Sequence, residues 1–319
     1  MQRRDMVIAA AAWMAVPAWA SKEYPHKPIR LILSFPPGST SDVIARFIGD
    51  KLSKDTGQPV IVESKPGAQG AIAARYVAKA PADGYTVFLG TNSTHAANIY
   101  LMKNLGYDPV KDFAPLTQCS SHPLVLVVRS DSDFENLKSL LDFGKENPEV
   151  LSYGTGNTGS LVAVQLLKAI ADFKAVGVNY PGVAQACNDL LGGRLDFMMV
   201  DPTVVQSFVT AGRLKILGIS TKERLTTMPD VRPISEQGWP AYEYASWSGF
   251  FAPAGISEAV QNKLTQSLQK ILTEPEVANY LSSLGVIVKH SSSNEFSKFV
   301  KSQIILWDDL VKKSGLSLA

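Results

Sequence analysis

One pattern recurs along this chain: a short apolar run, a polar turn, then a longer stretch in which apolar residues return every three or four positions. Ile29 to Phe35 (IRLILSF) has the continuous apolarity of a buried strand and ends in Pro36-Pro37-Gly38. Val43, Ile44, Phe47, Ile48 and Leu52 then mark one face of a helix that Gly57 closes. Val60 to Val62 and Thr86 to Leu89 read as the next strands, with an alanine-rich helix from Ala68 to Ala80 between them. The unit resumes with a strand ending at Ser152-Tyr153, a helix over Ser160 to Phe173 and a strand over Val176 to Tyr180. Gly182 to Leu191, Leu195 to Val200, Thr203 to Ala211 and Leu214 to Ser220 continue it as helix, strand, helix and strand. Strands spaced by helices predict an α/β architecture of parallel sheets with helices on both faces.

The last third is predominantly helical. Val260, Leu264, Leu268 and Ile271 form one stripe, and Phe296, Phe299, Val300, Ile304 and Trp307 another; both read as core contacts. A chain of 319 residues is long for one core and fits two domains. The connections in its middle are short, so the domains are expected to be joined by crossing strands, near Thr117 to Ser121 and near Ser220 to Glu223. This assigns residues 21–118 and 222–319 to a first, discontinuous domain and 119–221 to a second. Two α/β lobes on paired crossings make a hinge over a cleft, which suits closure around a small molecule.

Composition narrows the function. Lys and Arg total 31 against 29 Asp and Glu, too balanced for a protein that tracks nucleic-acid phosphates. Four scattered histidines without an HxxxH or HExxH spacing, and only two cysteines, argue against a metal site; no cofactor is expected. Cys119 and Cys187 fit either two buried thiols or a disulfide. At the start, Arg3 and Arg4 precede an apolar run from Met6 to Val16, then Pro17 and Ala18-Trp19-Ala20. That order is expected of a secretory signal peptide, residues 1–20, cleaved after Ala20, and the run is short for a membrane span.

Two strand–turn–helix junctions carry the candidate chemistry: FPPGSTSD (Phe35 to Asp42) and YGTGNTGS (Tyr153 to Ser160). Each sets small residues, hydroxyls and free backbone N–H groups at a helix N-terminus, which attracts anions without a basic side chain. Thr91-Asn92-Ser93-Thr94-His95 and Asp201-Pro202 follow other strands at the carboxyl edge where α/β sheets bind ligands. Helix capping is the competing explanation: Ser39 with Asp42 is nearly a capping box, and Asp201 before Pro202 is a cap signal. The glycines Gly154, Gly156 and Gly159 match GxGxxG, but the next strand ends at Asn179-Tyr180 without the acid that a dinucleotide ribose needs. An exported hydrolase has only His95 beside Ser93 and Thr94 to offer, with no orienting acid.

The segments YPHKPIRLILSFPPGSTSD, GQPVIVESKPGAQG, APADGYTVFLGTNSTHA and YDPVKDFAPLTQ, followed by LSYGTGNTGS, LLGGRLDFMM, AGRLKILGIST and WSGFFAPAG, resemble the extracytoplasmic solute receptors of the tripartite tricarboxylate transporters, the Bug proteins. The resemblance spans the chain after residue 20. It implies a two-lobed periplasmic binding protein of the type II, Venus-flytrap kind, a monomer without catalysis, that delivers a small carboxylate to one large and one small membrane subunit. A ligand-presenting co-sensor for a membrane histidine kinase is the alternative. Carried over, the first turn supplies Pro37, Gly38, Ser39, Thr40 and Asp42, holding a ligand carboxylate in part through water. Thr91, Ser93, Thr94 and His95 match the second pocket segment. Thr155, Asn157, Thr158, Gly159 and Ser160 match the third, with Tyr180 beyond it and Asp201 last. Three departures bear on the ligand. Pro36-Pro37-Gly38-Ser39 stands where the family has A-P-G-G, Asn179-Tyr180-Pro181-Gly182 lacks the lysine of P-Y-K-G, and Leu161-Val162 replaces a serine–histidine pair. The expected ligand is a di- or tricarboxylate, acidic amino acid or aromatic acid, anionic at the first lobe and compact or apolar beyond.

Overall fold

The computed structural model describes residues 23–225 and 227–313, and the expected signal peptide lies outside them. β1 (Ile29–Leu33), α1 (Thr40–Thr56), β2 (Val60–Ser64), α2 (Ala71–Ala78) and β3 (Thr86–Thr91) follow the alternation of the sequence. In β1, Ile29, Leu31 and Leu33 enter one apolar cluster while Ile32 enters another, so the strand is buried on both faces and apolar except at Arg30, which pairs with Glu63 of β2. Ser39 starts α1 by accepting the Asp42 N–H at 3.3 Å, and Gly57 ends it in the left-handed conformation. The alanine-rich helix begins later than Ala68: positive φ at Ala68, Gln69 and Gly70 leaves only a 3₁₀ turn there.

A π-helical turn, Ser93–Ala97, follows β3 and leads into α3 (Asn98–Leu101). β4 (Phe113–Pro123) then crosses the first sheet and passes through Leu124 into β5 (Val125–Arg129) of a second sheet. That sheet is completed by α4 (Leu137–Glu146), β6 (Ser152–Thr155), α5 (Thr158–Ala171), β7 (Val176–Asn179), α6 (Val183–Leu191), β8 (Phe197–Val200), α7 (Pro202–Thr210) and β9 (Leu214–Ile219). β10 (Ala245–Pro253) returns to the first sheet, followed by α8 (Glu258–Leu272), α9 (Pro275–Ser283), β11 (Ile287–Val288) and α10 (Ser293–Lys313).

The strand orders are β11-β4-β10-β3-β1-β2 and β7-β6-β8-β5-β9. Only β2-β1-β3 and β7-β6-β8 are parallel; β10 opposes both β3 and β4, β11 opposes β4, and β5 opposes both β8 and β9. The expectation of parallel sheets is therefore corrected to two mixed sheets. Helical crossovers produce parallel pairs, whereas β4, β5 and β10 carry the chain between sheets and run against their neighbours. Gly249 of β10 permits the last helix to pack: a Cβ there would lie 2.1 Å from Cζ of Phe296.

The first sheet is clamped on one face by α1, α8 and α9. On its other face one apolar cluster runs from Phe88, Phe251 and Phe296 through Tyr242, Tyr244, Trp247 and Trp307 to Leu126, Val162 and Phe197 of the second sheet. Cys119 and Cys187 are free thiols buried in separate clusters, and burial pushes them up to about 12 and about 11.

The crossings meet at three residues. Ser220 N–H donates to Leu124 O at 2.8 Å and Leu124 N–H to Ser220 Oγ at 2.8 Å. Ser220 Oγ donates to Tyr244 O at 2.7 Å, and Tyr244 N–H to Ser220 O at 2.9 Å. The passages thus lie at Leu124, just past the expected Thr117 to Ser121, and at Ser220 with Tyr244. Ser220→Ala strands the buried Leu124 donor and should lower unfolding free energy by about 1–3 kcal/mol, read from urea denaturation.

Candidate ligand-binding cleft

Five helical segments begin around one cavity between the sheets. Its wall takes Ser39, Thr40 and Ser41 from the start of α1, and Thr91, Asn92 and Ser93 from the turn after β3. Gly156 and Asn157 come from the start of α5, Val183 from α6 and Asp201 from α7; Phe35, His122, Ser246 and Trp247 complete it. The space between these atoms, counted out through its open mouth into solvent, is about 460 Å³. The convergence needs a close approach at Gly156, where a Cβ would fall 2.1 Å from the Val183 nitrogen.

The two sides touch. A Cβ on Gly182 would lie 2.6 Å from Cγ of Pro36, and Thr158 Oγ1 reaches Gln69 Oε1 at 3.4 Å across the cleft. The Tyr244 hydroxyl links Asn92 Nδ2 at 3.4 Å with Ser246 Oγ at 3.2 Å.

Charge at the wall comes from the backbone. Among the described residues no Lys or Arg lines the cavity. Each helix N-terminus carries about half a positive elementary charge and N–H groups without intrahelical partners. Three buried side-chain atoms of the wall also make no hydrogen bond: Thr91 Oγ1, His122 Nδ1 and Trp247 Nε1. Thr40 Oγ1 makes none of ordinary geometry either, though it comes close enough to Asp201 to favour the ionised carboxyl slightly.

Asp201 stands at the N-cap position of α7 but does not cap it; its side chain accepts no N–H from that helix. The carboxyl is buried, and desolvation raises it to about 7, outweighing its own backbone N–H and the Thr40 hydroxyl. His122 is also buried and is held down to about 4, hence neutral at pH 7. Its Nε2 lies 2.9 Å from Ser120 Oγ, which in turn lies 2.6 Å from Ser248 Oγ. No carboxylate orients this imidazole, so the serine–histidine contact lacks the third member of a catalytic triad.

Of the residues expected from sequence, Ser39, Thr40, Thr91, Ser93, Asn157 and Asp201 come together at the wall. The others stand behind or beside it. Pro37 and Gly38 are exposed on the first turn. The Asp42 carboxylate accepts Gly38 N–H at 3.2 Å and Arg46 Nε at 2.8 Å, bracing that turn. Thr94 Oγ1 closes the second turn, accepting Thr91 N–H at 3.0 Å. His95 stacks on Phe251 with centroids 3.8 Å apart, fully buried away from the wall; its Nδ1 meets Thr94 Oγ1 at 2.9 Å. The Thr94 hydroxyl and His95 imidazole are thus paired with each other in the interior and do not line the cavity. Thr155 Oγ1 donates to Asn179 Oδ1 at 2.8 Å, and Ser160 N–H to Asn157 Oδ1 at 2.7 Å. Thr158 and Gly159 form the first turn of α5, beside Tyr244. Tyr180 lines a neighbouring recess and donates to Asp189 at 2.8 Å. Phe35, Ser41, Asn92 and Gly156 lie inside the turns singled out from sequence but were not named as site residues, and sequence reasoning missed His122, Val183, Ser246 and Trp247 altogether. A separate groove shares Ser246 and Trp247 with the cavity and is otherwise lined by Thr221, Glu243, Tyr244, Ala245, Lys289 and residues of β4 and α10.

Two predictions follow from these placements. Asp42→Ala should cost about 1 kcal/mol of stability by loosening the turn, while a ligand-induced rise in melting temperature persists. His95 is held down to about 3 by burial, so its folded-state value lies below the unfolded one; stability is complete above about 6.5 and is lost as pH falls below it. His95→Phe should therefore lose about 1–2 kcal/mol less than the parent between pH 7 and pH 5, measured by urea unfolding.

The sequence profile described as the tripartite tricarboxylate transporter family receptor matches residues 44–316. Rpa4515 of Rhodopseudomonas palustris, solved with adipate, is 28% identical with a TM-score of 0.91, covering 93% of this chain and all of that one. The periplasmic binding protein BugD is 30% identical with a TM-score of 0.88, over 93% of this chain and all of its own. MatC of Rhodopseudomonas palustris, with bound malate, is 28% identical with a TM-score of 0.85, over 90% of this chain and all of its own. Among the described residues no helix is long and apolar enough to cross a membrane. With a profile match over most of its length and a two-lobed α/β frame shared with these binding proteins, the chain belongs to the receptor family of the tripartite tricarboxylate transporters, whose members are periplasmic solute-binding proteins.

Proposed function

We propose that this protein is exported, cut after Ala20, and captures a small carboxylate in the interlobe cleft for transfer to the membrane subunits of a tripartite transporter, performing no chemistry of its own. The observation that carries the reading is the convergence of five helical starts on a wall that, among the described residues, has no Lys or Arg. An anion there gains from oriented backbone donors on both lobes at once, so capture favours closure. Residues 21–118 with 222–319, and 119–221, act as the two moving units about Leu124 and Ser220. Ser39, Thr40 and Ser93 meet the carboxylate from the first lobe, and Asn157 and Asp201 face it from the second.

Adipate and malate, named with two of the neighbours, are both small dicarboxylates and the first candidates to try. The test is thermal and chemical unfolding of the purified protein with a panel of aliphatic, hydroxy, amino and aromatic carboxylates. A ligand present at about 100 times its Kd should stabilise by about 2.7 kcal/mol. If no carboxylate raises stability at millimolar concentration while the protein is folded, the reading fails.

A further inference from the structure

We infer that capture of the carboxylate takes up a proton at Asp201, which then meets the ligand as a hydrogen-bond donor. The inference rests on the carboxylate-binding reading and adds to it the protonation state in which the second lobe binds.

Asp201 sits where an aspartate ordinarily caps a helix, yet its carboxyl makes no capping bond to α7 and lines the cavity instead. The groups that share the wall with it include Thr40 from α1, Asn157 from α5, Val183 from α6 and Ser246 from β10, and among the described residues no Lys, Arg, Glu or second Asp joins them. The other titratable group at the wall is His122 from β4, and Tyr244, just before β10, is the tyrosine whose ionisation the Asp201 charge opposes. No cation is therefore in place to neutralise Asp201 when an anion arrives. Two carboxylates enclosed together cannot both stay ionised; the acid form of one becomes strongly favoured. The N-terminus of α7 favours the ionised form in the free protein, and burial favours the acid form, so Asp201 starts poised near neutrality. A ligand anion tips that balance in one direction only. The proton moves from solvent to an Asp201 oxygen and is then shared with a ligand oxygen; no bond of the ligand is broken.

The sign follows directly. The protonated protein binds the anion more tightly, so Kd rises with pH once free Asp201 ionises, with a limiting slope of tenfold per pH unit. Titration calorimetry with adipate, malate and the strongest binder of the panel, at pH 6, 7 and 8, reads this slope. Running each titration in two buffers of different ionisation enthalpy counts the protons. The expected result is an uptake approaching one proton at pH 8 and a Kd at least threefold weaker at pH 8 than at pH 6. Asp201→Asn, which keeps a donor but cannot ionise, should show a pH-independent Kd and no uptake at pH 8. His122→Gln should retain the dependence, which separates Asp201 from the other titratable group at the wall. Carboxylates that bind with no proton uptake and a flat Kd in the parent overturn this inference alone. So does a pH dependence that disappears in His122→Gln and persists in Asp201→Asn. A folded protein that binds none of the carboxylates overturns the function and this inference together.

Discussion

Backbone amides at the start of an α-helix have no partners within the helix, and a buried helix start must find them elsewhere. In this protein that requirement is concentrated: α1, α5, α6, α7 and the turn before α3 all begin on one cavity. Some donors are met locally, as when Ser39 caps α1 and Asn157 caps α5. The rest give the cavity its positive character, and the architecture of both lobes serves to bring them within reach of one another. Parallel β2-β1-β3 and β7-β6-β8 place the helix starts at the carboxyl edges of the strands. Gly156 allows α5 and α6 to start almost in contact.

The hinge and the core answer a different demand. Where the chain passes between the sheets, its buried backbone groups must stay hydrogen-bonded. The Leu124, Ser220 and Tyr244 bonds meet that need at one point. The apolar cluster continues through Tyr242, Trp247 and Trp307 into residues of both sheets, so the two halves share a core.

Much of the fold was legible because buried strands and amphipathic helices impose strong periodicities, as in β1 with α1 and in α5 through β9. The crossing strands were harder to see. β4 (FAPLTQCSSHP) mixes two prolines and several polar residues with its apolar ones because one part faces cores and another the cleft. β10 (ASWSGFFAP) changes from small polar to apolar partway for the same reason. The site divided similarly. Turn chemistry located Ser39, Thr40, Thr91, Ser93, Asn157 and Asp201, because a polar turn after a strand is a local signal. His122 and Ser246 are brought to the wall by antiparallel pairing of β4 with β10, where they are register partners, and nothing local marks that. The one available hint was a histidine among serines in a stretch otherwise reading as a domain crossing. His95 is the opposite case: a histidine in a polar turn that its neighbours Phe88, Phe113 and Phe251 draw into the core.

Trp247 and Ser246 belong to two surfaces at once, the cavity wall and the separate groove. That groove is bounded by α10 on one bank and by Thr221 and Glu243, from the returning segment, on the other. A change at Trp247 therefore alters both surfaces at once.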